Sequence, residues 1–289
     1  MRARKGILCR GLFPPRDVCY KTGRGSTGIF QVCILASGSA GNCVYAGSER
    51  TGILIDAGLS FVQIERRLAA AGLSFDQVRA VLVTHEHADH VSGLVRLARK
   101  RLDRKRPLPI YLTERTASSI DWQNLTPHLE LFQAGARVVV DDLEIDSFTV
   151  PHDAIDPVGF TVRAQGVKFS LATDLGYIPD SIRYHLQGSD VLLLESNHDL
   201  EMLKVGPYPW PVKQRVMSRV GHLSNDHACD FICQDLDPRV QTLILGHLSE
   251  QNNHPEIVRL MADQALLARG ISPRLVVASQ REPTEAFTF

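Results

Sequence analysis

The stretch Thr84-His85-Glu86-His87-Ala88-Asp89-His90 constrains this chain most: three imidazoles and two carboxylates fall within six positions, directly after the apolar run Ala80–Val83. Borderline-soft divalent metals favour such nitrogen and oxygen donors. An apolar strand leading into the motif brings the donors to the edge of a buried sheet. Side chains at i and i+2 of an extended segment point the same way, so His85 and His87 can grip one ion together. Asp89 and His90 lie past the strand end, where the chain turns toward the next helix, and can reach a second ion beside the first.

With 289 residues the chain can bury a substantial core as one sizeable domain or two small ones. Its 32 Lys plus Arg balance 32 Asp plus Glu, unlike a basic nucleic-acid coat protein or an acidic disordered chain. No stretch approaches the roughly 18 apolar residues that span a bilayer, so no membrane association is expected. The first thirty residues lack the apolar segment of a secretory signal. Cys9, Cys19, Cys33, Cys43, Cys229 and Cys233 contain no CxxC pair and read as reduced thiols, which suits the cytoplasm. Cys229 and Cys233, a helical turn apart, read as small buried apolar residues.

Residues 1–30 are rich in Lys and Arg against a single acid, Asp17, carry Pro14-Pro15, and show no helical or strand period. They read as a poorly ordered extension ahead of one domain over 31–289. From Val32 the pattern becomes strand, turn, strand, with a further strand ending at Asp56. Ser60 and Gln63 form a capping box for a helix through Ala71, stopped by Gly72. The spacing predicts strands over 79–84, 110–112, 137–140, 143–150, 159–163, 167–172, 190–194, 240–245 and 274–278. It predicts helices over 92–102, 179–186, 211–219, 225–236 and 255–270. The order β-rich, helix, β-rich, helix implies an α+β fold, two sheets face to face with helices outside.

A two-ion site needs more donors, and three stand where a donor should, immediately after an apolar β segment. These are His152, Asp174 and His247. The expected assignment puts His85, His87 and His152 on one ion and Asp89, His90 and His247 on the other, with Asp174 bridging. Asp56, also at a strand end, is expected to hold the loop or a ligand histidine from behind. His/Asp sites accept zinc, manganese or iron.

Taken in order, Asp56, the His85–His90 motif, His152, Asp174 and His247 resemble the motifs of the metallo-β-lactamase superfamily. The resemblance implies a four-layer αβ/βα sandwich with a dinuclear site at one edge. More closely, residues 32–280 resemble the YycJ (WalJ) type of that superfamily. Matching segments include Leu35–Asn42, Ile55–Ser60, Pro151–Ala154, Glu195–Asp199, Gly206–Pro211, Gly221–Asn225 and Gly246–Ser249. Members of that group act as nucleases on DNA, one of them as a 5′-to-3′ exonuclease. This implies a cytoplasmic metal-dependent phosphodiesterase whose partner is nucleic acid, DNA before RNA.

Two divalent ions about 3.5–4 Å apart lower the pKa of a shared water toward about 7 and polarise the bond under attack. Asp89 could orient the hydroxide so formed. His222, in Gly221-His222-Leu223-Ser224, has no strand leading into it and stands over the site. A similar Gly-His segment precedes the last metal histidine of ribonuclease Z, a tRNA 3′-processing endonuclease, where it serves phosphate contact and acid catalysis. That similarity makes His222 the expected proton donor and Glu195 the acid that tunes it. Asp rather than Cys at position 174, with Asp89 present, argues against drug hydrolysis. Only 72 residues separate Asp174 from His247, too few for the inserted domain of β-CASP nucleases.

Candidate phosphate contacts are the cations Arg96, Arg99, Lys100, Arg101, Arg104, Lys105 and Arg106, which read also as a solvated helix end suited to the negative macrodipole end, and Lys213, Arg215 and Arg219 beside Tyr208 and Trp210, which read equally as a packed, proline-rigidified loop. The competing expectation is a thioester or lactone hydrolase using the same ligands, which would need no His222.

Overall fold

The computed structural model describes residues 28–103 and 107–289. The extension expected over 1–30, with Cys9 and Cys19, lies outside the described residues as far as position 27, as do Arg104, Lys105 and Arg106. Phe30 already opens the first strand and is buried.

The first half builds one sheet from β1 (Phe30–Ala36), β2 (Cys43–Ser48), β3 (Gly52–Ile55), β4 (Val78–Leu82), β5 (Ile110–Thr113) and β6 (Leu129–Phe132). The second half builds another from β7 (Arg137–Val140), β8 (Leu143–Thr149), β9 (Val158–Ala164), β10 (Val167–Ala172), β11 (Val191–Glu195), β12 (Thr242–Gly246) and β13 (Arg274–Val277). The C-terminal β14 (Phe287–Thr288) returns to pair with β1 in the first sheet. Each sheet is half antiparallel meander and half parallel: β3, β4, β5 and β6 run parallel, as do β10, β11, β12 and β13. The central parallel strands β11 and β12 read as nearly unbroken apolar runs because both faces are covered, and every residue of the two is buried.

The helices are α1 (Phe61–Ala70), α2 (Ala88–Val91), α3 (Leu94–Asp103), α4 (Glu114–Ser119), α5 (Asp180–Leu186), α6 (Leu200–Val205), α7 (Trp210–Val216), α8 (Asn225–Gln234) and α9 (Pro255–Arg269). Phe30, Ile34, Phe160 and Phe169 fill the space between the sheets. Ile64, Leu68, Leu94 and Leu97 pack helices onto the outer face of the first sheet, and Ile182, Phe231, Ile232 and Val258 do so for the second. The four-layer αβ/βα order follows, as expected.

Short elements differ from expectation. β6, β14, α4 and α6 have two to six residues, less than the length over which a period can be read. The helix expected from Ser92 begins at Leu94, because Gly93 donates its N–H to the Ala57 carbonyl at 2.9 Å instead of entering the helix. Cys229 and Cys233 are half-buried at the margin of the α8–α9 core and not fully enclosed.

Candidate metal centre

The donors gather where strand ends from both sheets meet. β4 delivers His85 and His87, α2 carries Asp89 and His90, and the segment after β8 carries His152. Asp174, Glu195 and His247 come from the ends of three adjacent parallel strands, in register at Ala172, Leu194 and Leu245. Carboxyl ends of parallel strands are where open α/β sheets place their ligands. Asp56, Asp174 and His247 each adopt left-handed backbone, with φ of 63°, 58° and 58°. Such a kink turns the side chain off the strand axis at an energetic cost, least for Asp and larger for His.

The ligand-capable atoms fall into overlapping groups, each within 4.8 Å: His85, His87 and His152; Asp89, His90 and His247; His85, His90 and Asp174. The Asp174 carboxylate lies 3.4 Å from His90 Nε2, 3.3 Å from His247 Nε2 and 3.9 Å from His152 Nε2, between the first two groups. Asp89 Oδ2 is 3.4 Å from both His90 Nε2 and His247 Nε2. His87 Nδ1 and His152 Nε2 face each other at 3.3 Å.

Outer partners fix which nitrogen of each ring is free. Asp56 Oδ2 accepts from His90 Nδ1 at 2.8 Å, Glu195 Oε1 from His247 Nδ1 at 3.0 Å, and the Gly221 carbonyl from His152 Nδ1 at 3.2 Å. Thr84 Oγ1 donates to Asp56 and so accepts from His85 Nδ1 at 3.0 Å. Carboxylates and carbonyls only accept, so Nδ1 carries the hydrogen and Nε2 of all four rings is left as the lone-pair donor. Asp56 thus stands behind His90 and also holds the Thr84 N–H at 2.8 Å.

Three observations fit a pair of divalent cations. His85 Nε2 and Asp174 Oδ2 are buried and, among the described residues, have no hydrogen-bond partner. Asp56, Asp174 and Glu195 are buried carboxylates whose ion-pair partners are histidines. Buried anions without a fixed cation are costly. The same field draws protons: burial opposes charging of His247, but Asp174, Asp89 and Glu195 outweigh it and push the ring up to about 10. His90 likewise overcomes burial through Asp174 and Asp56 and is raised well above its ordinary value. His85, which burial and the neighbouring rings disfavour as a cation, is held well below.

His222 sits at the mouth, its ring stacked on His247 at 5.2 Å between centroids and 5.1 Å from His152. Its Nδ1 bonds Glu195 Oε1 at 2.7 Å, while Glu195 Oε2 accepts from the Leu175 and Leu223 N–H groups. Burial opposes charging of His222, yet Glu195 outweighs it and raises the ring above its ordinary value. Beside the motif a groove of about 590 Å³ opens past Glu86 and Ala88, with Arg96 and Gln123 on its walls.

Within the second group of candidate phosphate contacts Lys213 is withdrawn from solvent, whereas Arg215 and Arg219 stay exposed. Lys213 is buried, with Nζ donating to the Lys204 carbonyl at 2.7 Å; Arg215 pairs with Asp153; and Arg219 stacks on Tyr177 at 4.2 Å. Trp210 is exposed, and Arg96, Arg99 and Lys100 line the exposed side of α3, Lys100 lying over the Phe61 ring at 4.4 Å. Roles that the sequence reading left unassigned fall to Thr84, Asn42 and Asn197, whose amide donates to the His247 carbonyl at 2.8 Å. Asn42 and Asn197 stand inside segments already matched to the YycJ type, which is the signal that could have found them.

Comparison with known proteins agrees with this architecture. The family described as Beta-lactamase superfamily domain matches residues 51–247. A Bacillus anthracis protein named exodeoxyribonuclease YycJ is 38% identical over 82% of this chain and 89% of its own length. Exodeoxyribonuclease WalJ of Streptococcus pneumoniae serotype 2 is 35% identical over 80% of this chain and 86% of its own. Among solved structures, the metallo-beta-lactamase fold protein YhfI from Bacillus subtilis superposes with a TM-score of 0.68, covering 90% of this chain and 98% of YhfI at 16% identity. With two sheets back to back, donors at their strand ends and relatives of this identity and coverage, the chain belongs to the metallo-β-lactamase-fold branch of the beta-lactamase superfamily, in its YycJ/WalJ group.

Proposed function

We propose that this protein is a metal-dependent phosphodiesterase, a DNA exonuclease, that works with two divalent ions of zinc, manganese or iron. The observation that carries the reading is two three-donor groups with the Asp174 carboxylate within 4 Å of members of both, and the His222–Glu195 pair beside them. The names of the relatives, exodeoxyribonuclease YycJ and WalJ, support DNA as the substrate. His85, His87 and His152 would hold one ion, Asp89, His90 and His247 the other, and Asp174 both. Bound there, such ions supply Lewis acidity and acidify a water toward neutrality.

The chain's own residues supply the rest. Asp89, a fifth exposed at its side chain, orients the attacking water. His222 keeps a proton on Nε2, opposite the Nδ1 that Glu195 holds, and gives it to the oxygen that leaves phosphorus. An alkoxide leaving group gains from such a donor by about 10²–10⁴-fold. Glu195 is a positioning residue: it fixes the ring and favours its charged form.

Purified protein with Mn²⁺ or Zn²⁺ is given end-labelled linear duplex DNA, a closed DNA circle, the matching RNA and a model thioester. The expected result is release of nucleotides from linear DNA ends and sparing of the circle. His222→Ala lowers that rate at least 100-fold with metal content unchanged. Thioester cleavage indifferent to His222→Ala, with DNA untouched, would overturn the proposal in favour of a small-molecule hydrolase.

A further inference from the structure

We infer that the loop joining β1 to β2, Ser37–Asn42, is the device that sets the Asp89, His90 and His247 donor group, with Asn42 as its positioning residue. The inference rests on the two-ion reading above and assigns a task to a segment that reading leaves idle.

Asn42 is buried and reaches the group with both main chain and side chain. Its Nδ2 lies 3.1 Å from Asp89 Oδ2 and 3.0 Å from His90 Nε2, while its backbone N–H donates to the Asp89 carbonyl at 2.7 Å. The Asn42 carbonyl accepts from Gly58 N at 2.9 Å, which ties the loop to the turn that carries Asp56. Within the loop, Oδ1 accepts from Gly38 N at 2.8 Å and Nδ2 donates to the Gly38 carbonyl at 3.1 Å, so the amide cannot rotate freely. At the other end Ser37 Oγ accepts the N–H of His247 at 2.8 Å, across from the second sheet. That bond holds the residue whose left-handed backbone most needs holding.

An amide suits this place where a carboxylate would not. Nδ2 only donates, so it pins one oxygen of Asp89 and leaves the remaining lone pairs directed at a cation. Its two hydrogens are taken by Asp89 and the Gly38 carbonyl, which leaves the single lone pair of His90 Nε2, 3.0 Å away, for a cation. The other group is held elsewhere: His85 by Thr84, His152 by the Gly221 carbonyl, and His87 against His152. Disturbing the loop should therefore weaken one ion and spare its neighbour.

The test is a Mn²⁺ titration of the full chain followed by calorimetry and electron paramagnetic resonance. The unaltered protein is expected to take two ions and show the spectrum of an exchange-coupled pair. Asn42→Ala should keep one ion at full affinity, bind the second at least tenfold more weakly, and show the six-line signal of isolated Mn²⁺. Ser37→Ala, which removes the acceptor for His247 N, should give the same selective weakening; it carries the test if Asn42→Ala does not fold. Two ions bound with unchanged affinity in both variants, or both ions weakened together, would overturn the inference while leaving the two-ion reading intact. An unaltered protein that takes fewer than two ions would overturn both.

Discussion

Glu195 serves two histidines with one oxygen, His222 at 2.7 Å and His247 at 3.0 Å, and two backbone N–H groups with the other. Burial opposes its ionised form, but His222 and His247 outweigh it and hold the carboxyl far below the usual range. Glu195→Gln keeps the shape and removes the charge. The expected outcome is a 10–100-fold loss of rate. Because Glu195 raises His222, the fall in rate as pH rises should also begin at lower pH in the variant, which a pH–rate profile checks. His198 makes the opposite case. It is buried, neither ring nitrogen has a hydrogen-bond partner among the described residues, and burial lowers it to about 4. Between that value and its ordinary 6.5 the unfolded chain binds the extra proton, so stability falls as pH drops through this window. His198→Leu should lose on the order of 3 kcal/mol less than the unaltered protein between pH 6.5 and 4 in urea melts.

Elements hold these residues through close backbone approach more than through propensity. The turn after β3 lies against α2: Ala57 N donates to the His90 carbonyl at 2.8 Å, and a Cβ on Gly58 would come within 1.7 Å of the Asp89 carbonyl oxygen. Neither backbone can yield without moving Asp89. Gly58→Ala should cost about 3 kcal/mol in denaturant melts and lower metal content as well. α8 is seated with equal care. Ser224 caps it by accepting His227 N at 3.2 Å and bridges to His198, which sets the segment carrying His222 beside β11.

Across the whole molecule, the site exists because two sheets of the same build, half antiparallel and half parallel, pack back to back and bring their strand ends to one edge. Phe160, fully buried between them, is part of that packing. Phe160→Ala should destabilise by about 3–5 kcal/mol, whereas Leu267→Ala on the exposed side of α9 should change stability by less than about 0.5 kcal/mol, as calorimetry would report. Among the described residues no helix is long and apolar enough to cross a membrane.

The sequence alone determined what neighbouring residues decide: an apolar strand feeding a cluster of donors, Ser60 as the cap of α1, and the places of the parallel strands apart from the short β6. Those features depend on periodicity and local hydrogen bonds, which are written within a few residues of one another. It also marked His152, Asp174 and His247 as strand-end donors, and resemblance carried Glu195 and His222 with them. What tertiary structure alone decided is which atoms meet. Ring tautomers follow from Asp56, Glu195 and Gly221, tens of residues from the histidines they bond. Lys213 and Arg215 read in sequence as phosphate contacts or as a packed loop alike, and only the fold shows a carbonyl and a carboxylate holding them. Asn42 and Ser37 gained a role only once the sheets were packed. A hydrogen bond between distant segments leaves no periodic trace, because its partner is chosen by packing and not by spacing.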